Sequence, residues 1–181
     1  MTLTDEQIER WSRQILLPEV GGRGQLRLLA ARVAILGDGP VVTWTADLLR
    51  RAGVTPKAGV DDADLLVDLD GGGTMLVQCA LARGVALVRC RLGASGGTID
   101  TLVGRPCGRC APVDAQPAGA AHDALAAAVT QALASLVAAE VLRLLLLGAD
   151  SGRRQHIDLD AGRFAGAPLV GAGCAACGAR S

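Results

Sequence analysis

The chain has 181 residues, half of them apolar but only 2% aromatic, so it suits one domain whose core must be aliphatic, built from Leu, Val and Ala. The formal net charge is zero, which gives no electrostatic case for nucleic acid or an acidic surface as partner. The polar opening MTLTDEQIERWSRQ has no signal-type apolar region, and the apolar stretch from Leu136 to Leu147 is broken by Glu140 and Arg143, so no membrane span is expected and a reducing, cytoplasmic compartment is the default.

In chain order, Thr4 to Gln7 reads T-x-x-Q, a capping box, and Ile8, Trp11, Ile15 and Leu16 follow at helical spacing. Arg32 to Leu36 is a short apolar run that ends at glycine, the pattern of a buried parallel strand. Gly37-Asp38-Gly39-Pro40 is a turn, and a helix from about Val41 to Ala52 stops at Gly53. Asp64 to Asp68 is a second buried strand, closed by Gly71-Gly72-Gly73. Thr74 to Arg83 is a helix ended by Gly84, and Val85 to Arg91 and Gly97 to Val103 are two further strands. Ala115 to Ala121 reads as a flexible loop. Ala121 to Leu147 is a long helix with Gly148 past its end. Its apolar stripe holds Leu125, Val129, Leu133, Leu136, Val137, Val141, Leu144 and Leu145, and its other faces are so rich in Ala and Leu that burial nearly all round is expected, part of it in a two-fold interface. His156 to Leu159 and Arg163 to Val170 form a final hairpin around Asp160-Ala161-Gly162. Strands alternating with helices in the first half imply a mainly parallel sheet.

Cys107-x-x-Cys110 and Cys174-x-x-Cys177 are two pairs, each able to place two thiolates on one ion from a tight turn. Together they complete a closed tetrahedral S4 site, structural zinc in character, that ties the C-terminal tail to the middle of the chain. The alternatives are coincidence or a redox pair, which normally occurs once, at the start of a helix after a strand. Cys79 and Cys90 read as small buried hydrophobes, with the added option that Arg89 and Arg91 lower the Cys90 thiol pKa.

Gly37-Asp38-Gly39-Pro40-Val41-Val42 follows a strand and opens a helix, the context of a dinucleotide fingerprint. Gly37 and Gly39 hold its first two positions, Val42 replaces the third, and Pro40 removes one N–H that could face a phosphate.

The succession of pieces resembles the ThiF/MoeB/HesA family, bacterial relatives of ubiquitin-activating enzymes. Arg10-Trp-Ser-Arg13-Gln14-Ile15-Leu-Leu17 is similar to the family's R-Y-x-R-Q-I-x-L opening. Gly24-Gln25, Leu28 to Val33, the strand and glycine turn, Ala52-Gly53-Val54, Asp64 to Asp68 and the two cysteine pairs follow in the family's order. The resemblance implies a Rossmann-like α/β fold and an ATP- and magnesium-dependent adenylation of the C-terminus of a small ubiquitin-like sulfur carrier. It implies that Arg13 reaches into a partner subunit's site, that Asp68 and the glycine turn attend the nucleotide, and that Asp70 stands near the position of the catalytic aspartate, one residue off the simplest alignment. As a turn residue before glycines, Asp70 also has a purely structural reading.

The chain departs from the family between Thr55 and Asp64, where ten residues replace several tens. The ribose-binding acid, the asparagine, the arginine and the lysine expected there have no counterparts, and Lys57, the single lysine, lies in the shortened link. Ala111 to Leu125 contains no cysteine for covalent transfer, only His122. Losing one charge-stabilising donor typically costs about two to three decades in rate, so losing several points to impaired ATP chemistry.

The expectation is therefore a single ThiF-type domain over 1–181, with an N-terminal helical arm at 1–30 and a zinc-clamped part at 107–177. It would be a shortened member with weakened or lost ATP chemistry that acts through a partner: a sulfur carrier, a peptide, a second copy, or a full-length relative. Two other readings stay open, an active minimal adenylyltransferase and a structural zinc protein without nucleotide. No nucleic acid or membrane partner is expected.

Overall fold

The computed structural model describes residues 2–57, 59–69, 74–104, 123–148 and 151–169. Helix α1 (Asp5–Ile15) opens on the expected capping box: the Gln7 amide donates to Thr4 Oγ1 at 3.2 Å, and the Thr4 amide donates to Gln7 Oε1 at 3.0 Å. Helix α2 (Gly21–Ala30) completes the arm. The remaining elements are β1 (Val33–Leu36), α3 (Gly39–Ala52), β2 (Leu65–Asp68), α4 (Thr74–Arg83), β3 (Ala86–Leu92), β4 (Gly96–Leu102), α5 (Asp123–Leu147), β5 (Arg153–Asp158) and β6 (Arg163–Pro168).

The six strands form one sheet in chain order. β1, β2 and β3 are parallel, while β3 to β6 run antiparallel in succession. The sheet is thus mixed, and the expectation of a mainly parallel one is corrected. The cause is local: Gly93-Ala94-Ser95 joins β3 to β4, far too little chain for a parallel crossover. β5 also begins at Arg153, earlier than the hairpin pattern at His156 suggests.

Helices cover both faces. On one face α3 and α5 bury Val33, Leu49, Val67, Val88, Ile99, Leu133, Val137, Val141 and Ile157. On the other, α4 contributes Val77 and Ala80 to a smaller cluster with Ala34, Leu66, Leu87 and Leu102. The α5 stripe is buried at Val129, Leu133, Val137, Val141 and Leu144, while Ala127, Ala128, Gln131, Ser135 and Ala139 are exposed in the single chain. Its apolar stretch is longer than Leu136 to Leu147: Ala126–Leu147 has a mean hydropathy of 1.6, long and apolar enough to cross a bilayer by composition. Here that composition serves a helix packed along the sheet.

The shortened link keeps a remnant of a strand. Lys57 bridges Ala34 in parallel, its amide donating to Val33 O at 2.8 Å and its carbonyl accepting from Ile35 N at 3.2 Å. The chain then returns directly to β2. Arg83 of α4 donates to Val60 O and Ala63 O, and Arg32 forks onto Asp64.

Candidate functional site

The glycine turn lies at the carboxyl end of β1, where ligands bind open α/β sheets. Gly37 and Gly39 have φ of +124° and +76°, conformations that side chains disfavour, and the space where a Cβ would stand on Gly39 is open. Asp38 precedes α3 without capping it, and Pro40 is in its first turn. The turn therefore permits close backbone approach while offering one donor fewer than the fingerprint.

Asp68 ends β2 in register with Leu36, so the structure brings it to the same end of the sheet as Gly37 and Gly39. Its side chain is buried, on the face that carries α4. From it a row of alternating charge crosses four strands: Asp68 pairs in register with Arg89, Arg89 with Asp100, and Asp100 with Arg154. Arg89 Nη2 donates to Asp100 Oδ2 at 2.6 Å, and Arg154 Nε donates to Asp100 Oδ1 at 2.6 Å. Burial pushes the Asp100 carboxyl up, but the hydrogen bonds from Arg154 and Arg89 outweigh it and hold the group below the usual carboxylate range. Arg91 stands two residues beyond Arg89, on the same face and nearer the carboxyl ends. Burial first, then Arg89, pulls its pKa below the ordinary arginine value, against the pull of Asp68 and Asp100. The sequence reading missed this row. Its signal was present in Arg89-Cys90-Arg91, where two charges recur at the strand period on one face.

Between those arginines, Cys90 faces the other way, into the α3–α5 core. Burial, then Asp68 and Asp100, pushes its thiol up to about 12. The notion that Arg89 and Arg91 activate it is therefore overturned, because neighbours in a strand point to opposite faces.

Arg13 lies elsewhere. Trp11 Nε1 donates to Arg51 O at 2.9 Å and Gln25 Nε2 donates to Ala52 O at 3.0 Å, latching the arm to the last turn of α3. The glycine turn is at the first turn of that 14-residue helix, ~20 Å away at 1.5 Å per residue. Arg13 is exposed in the last turn of α1, two residues after the Trp11 latch at the far end of α3 from the glycine turn. Its structural reading is a cation placed favourably near a helix C-terminus.

Asp70, His122, Cys107, Cys110, Cys174 and Cys177 lie outside the described residues. Among the described residues no cluster of three or more His, Cys, Asp or Glu could hold a metal. β4 and β6 flank β5 and run the same way, with Thr101, Arg153 and Pro168 in one register. The chain segments that lead to the two cysteine pairs thus leave the same end of the sheet, two strand spacings or ~10 Å apart. A groove of about 700 Å³, lined by Arg143, Leu147, Arg153, Phe164 and Pro168, lies at that end too, away from the glycine turn.

No family model matches the chain. Over 64 residues, 35% of the chain, it is 47% identical to "Adenylyltransferase and sulfurtransferase MOCS3" of Mus musculus, and over 62 residues it is 39% identical to "SAMP-activating enzyme E1" of Haloferax volcanii. These matches span only 14% and 23% of the two relatives. Among solved structures, PaaA superposes with a TM-score of 0.70 at 12% identity, covering 92% of this chain and 84% of PaaA. E. coli MccB, solved alone, with ATP and with MccA, superposes in its unliganded form with a TM-score of 0.69 at 16% identity, covering 95% of this chain and 73% of MccB. At those identities the likeness is one of fold.

Proposed function

We propose, for a chain similar to the ThiF/MoeB adenylyltransferases in part of its sequence and in its fold, that it is a reduced relative with impaired ATP chemistry that acts through a partner. The observation that carries this reading is the link after Gly53. A one-residue bridge at Lys57 stands where the resemblance expects a ribose-binding strand, and the chain then enters β2 without the phosphate-handling segment. The exposure of Arg13 and the latch of its arm to the end of α3 opposite the glycine turn support the second half of the proposal, since they suit Arg13 to a site on another chain. That chain would be a second copy or a full-length relative, and the protein brought to the paired sites a ubiquitin-like sulfur carrier or a peptide. The zinc proposal rests on the S4 donor set and on the shared exit of the two cysteine-bearing segments. When bound, zinc would hold those segments together and supply no chemistry to the reaction.

A second reading, a minimal active adenylyltransferase, is favoured by Asp68, a carboxylate beside the end of β1 that could attend magnesium. The test of the main reading is association with a purified ThiF-type relative from the same organism. Wild-type chain should associate, and Arg13→Ala should lose association while keeping its zinc content and melting temperature. Association that is absent, or indifferent to Arg13, contradicts it.

A further inference from the structure

We propose that the groove between α5 and the β5–β6 hairpin binds a short peptide segment, through an acidic side chain with apolar neighbours. The proposal rests on the reading that this chain receives a protein or peptide, and it gives that role to the end of the sheet away from the glycine turn.

Strand alternation builds the groove. Arg153, Gln155 and Ile157 pair in register with Pro168, Gly166 and Phe164. Ile157 is buried in the α3–α5 core, so these six positions stand on the face that carries α5. α5 supplies the wall, with Arg143 and Leu147 one turn apart. The volume of about 700 Å³ suits a few residues and not a folded domain. Gly166 keeps the floor open: a Cβ there would meet only Arg154 O, at 3.9 Å.

The chemistry of the lining selects the occupant. Buried Glu140 accepts from Arg143 Nη2 at 2.8 Å and from Arg153 Nε at 3.1 Å, and Arg153 Nη2 also donates to it. One carboxylate thus fixes two guanidiniums. Arg143 Nη1 donates to Gly148 O at 3.2 Å, whereas Arg153 Nη1 has no partner among the described residues. The Arg153 side chain is 39% exposed, so a ligand can reach it. The other charged side chains of β5 and β6, Arg154, Asp158 and Arg163, stand on the opposite face. Leu147 and Phe164, the single Phe of the chain, flank the groove and are 65% and 63% exposed. An acidic side chain meets Arg153 in a charge-assisted hydrogen bond, and its apolar neighbours cover Leu147 and Phe164. A bare phosphate satisfies only the first of these.

The test uses the full chain, labelled with nitrogen-15, and two blocked peptides, acetyl-Leu-Glu-Leu-amide and acetyl-Leu-Gln-Leu-amide. Inorganic phosphate is the third titrant. The acidic peptide should shift the Arg153 Nε–H and Gly166 amide signals saturably. The glutamine peptide should bind about tenfold more weakly, equal to ~1.4 kcal/mol. Gly166→Leu, which fills the floor without touching the Glu140 contacts, should abolish saturation, and Arg153→Gln should erase the preference for the acidic peptide. Circular dichroism checks that each variant is folded; if Arg153→Gln is not, the peptide pair and Gly166→Leu decide the matter. Equal binding of the two peptides, no saturation, or saturation unchanged in Gly166→Leu overturns the proposal. Phosphate that binds as tightly as the acidic peptide also overturns it and assigns the groove to a phosphate-bearing ligand. Neither Arg13 nor ATP enters this readout, so the groove can fail while association through Arg13 stands, and the reverse.

Discussion

Alanine at Gly53 should be costly for two separate reasons. The residue has φ of +101°, and an added Cβ would stand 2.5 Å from Gln25 Nε2, the group that caps Ala52 O. The backbone strain alone is about 1 kcal/mol or more, and displacing a buried amide adds a lost hydrogen bond of similar size. Urea denaturation of Gly53→Ala should therefore show a loss of ~2 kcal/mol or more, and a neutral result would mean that the latch between arm and α3 is not formed. Asp100 offers a sharper test. Asp100→Ala leaves Arg89 and Arg154 without the carboxylate they share, and breaking a buried pair in this way costs about 3–5 kcal/mol. The double change Arg89→Met, Asp100→Leu should recover much of that loss, because it removes buried charge from both sides; recovery is read by the same denaturation curves.

At the scale of elements, α5 is joined to the sheet by a polar contact as well as an apolar one. Glu140 is buried, accepts from Thr101 Oγ1, and is gripped by Arg143 at 2.8 Å and by Arg153. Burial pushes its carboxyl up, but the hydrogen bonds from Arg143, Arg153 and Thr101 prevail and bring it to about 2. A depressed folded-state pKa means stability that is fully present above the unfolded value of 4.5 and lost as pH falls toward about 2. Glu140→Gln should lower stability at neutral pH by ~2–3 kcal/mol and flatten the decline in this acid window. Stability measured across that window checks both, and an unchanged slope would place the acid sensitivity elsewhere.

The elements also show what the sequence made legible. The capping box at Thr4, the stop at Gly53 and the strand ending at Gly37 are local signals, and each is found where its residues require. The charged row was harder to read, because it joins residues from β2, β3, β4 and β5 that no single segment reveals. The mixed character of the sheet hung on one three-residue turn. Cys90 is the small buried hydrophobe that its sequence suggested; only the added option of activation fails, because adjacency in sequence suggested contact with Arg89 and Arg91 while strand alternation placed them on opposite faces.

The whole molecule is an α/β scaffold around one mixed six-stranded sheet, with a proposed zinc clamp at one end of the sheet and a proposed, reduced nucleotide end at the other. The clamp predicts about one zinc per chain by elemental analysis, lost in Cys174→Ala together with a lower melting temperature. Chelation should reproduce that drop in the wild type and leave the variant unaffected. A metal-free chain of unaltered melting temperature would remove the clamp from the account. That Gly37, Gly39 and Asp68 stand at one end of the sheet was legible in sequence, because the glycines follow β1 and Asp68 ends the adjacent β2. The latch of the arm to the last turn of α3 was not legible, because it joins residues distant in sequence.

The measurement that bears most directly on the central claim is calorimetric titration of ATP, with magnesium, into purified zinc-loaded protein. The account predicts no binding by the chain alone up to millimolar nucleotide, since the segment that should hold ribose and phosphates is reduced to the bridge at Lys57. Binding in the micromolar range would contradict it, and would turn attention to Asp68 and Asp70 as the metal-bearing and catalytic carboxylates of an active enzyme.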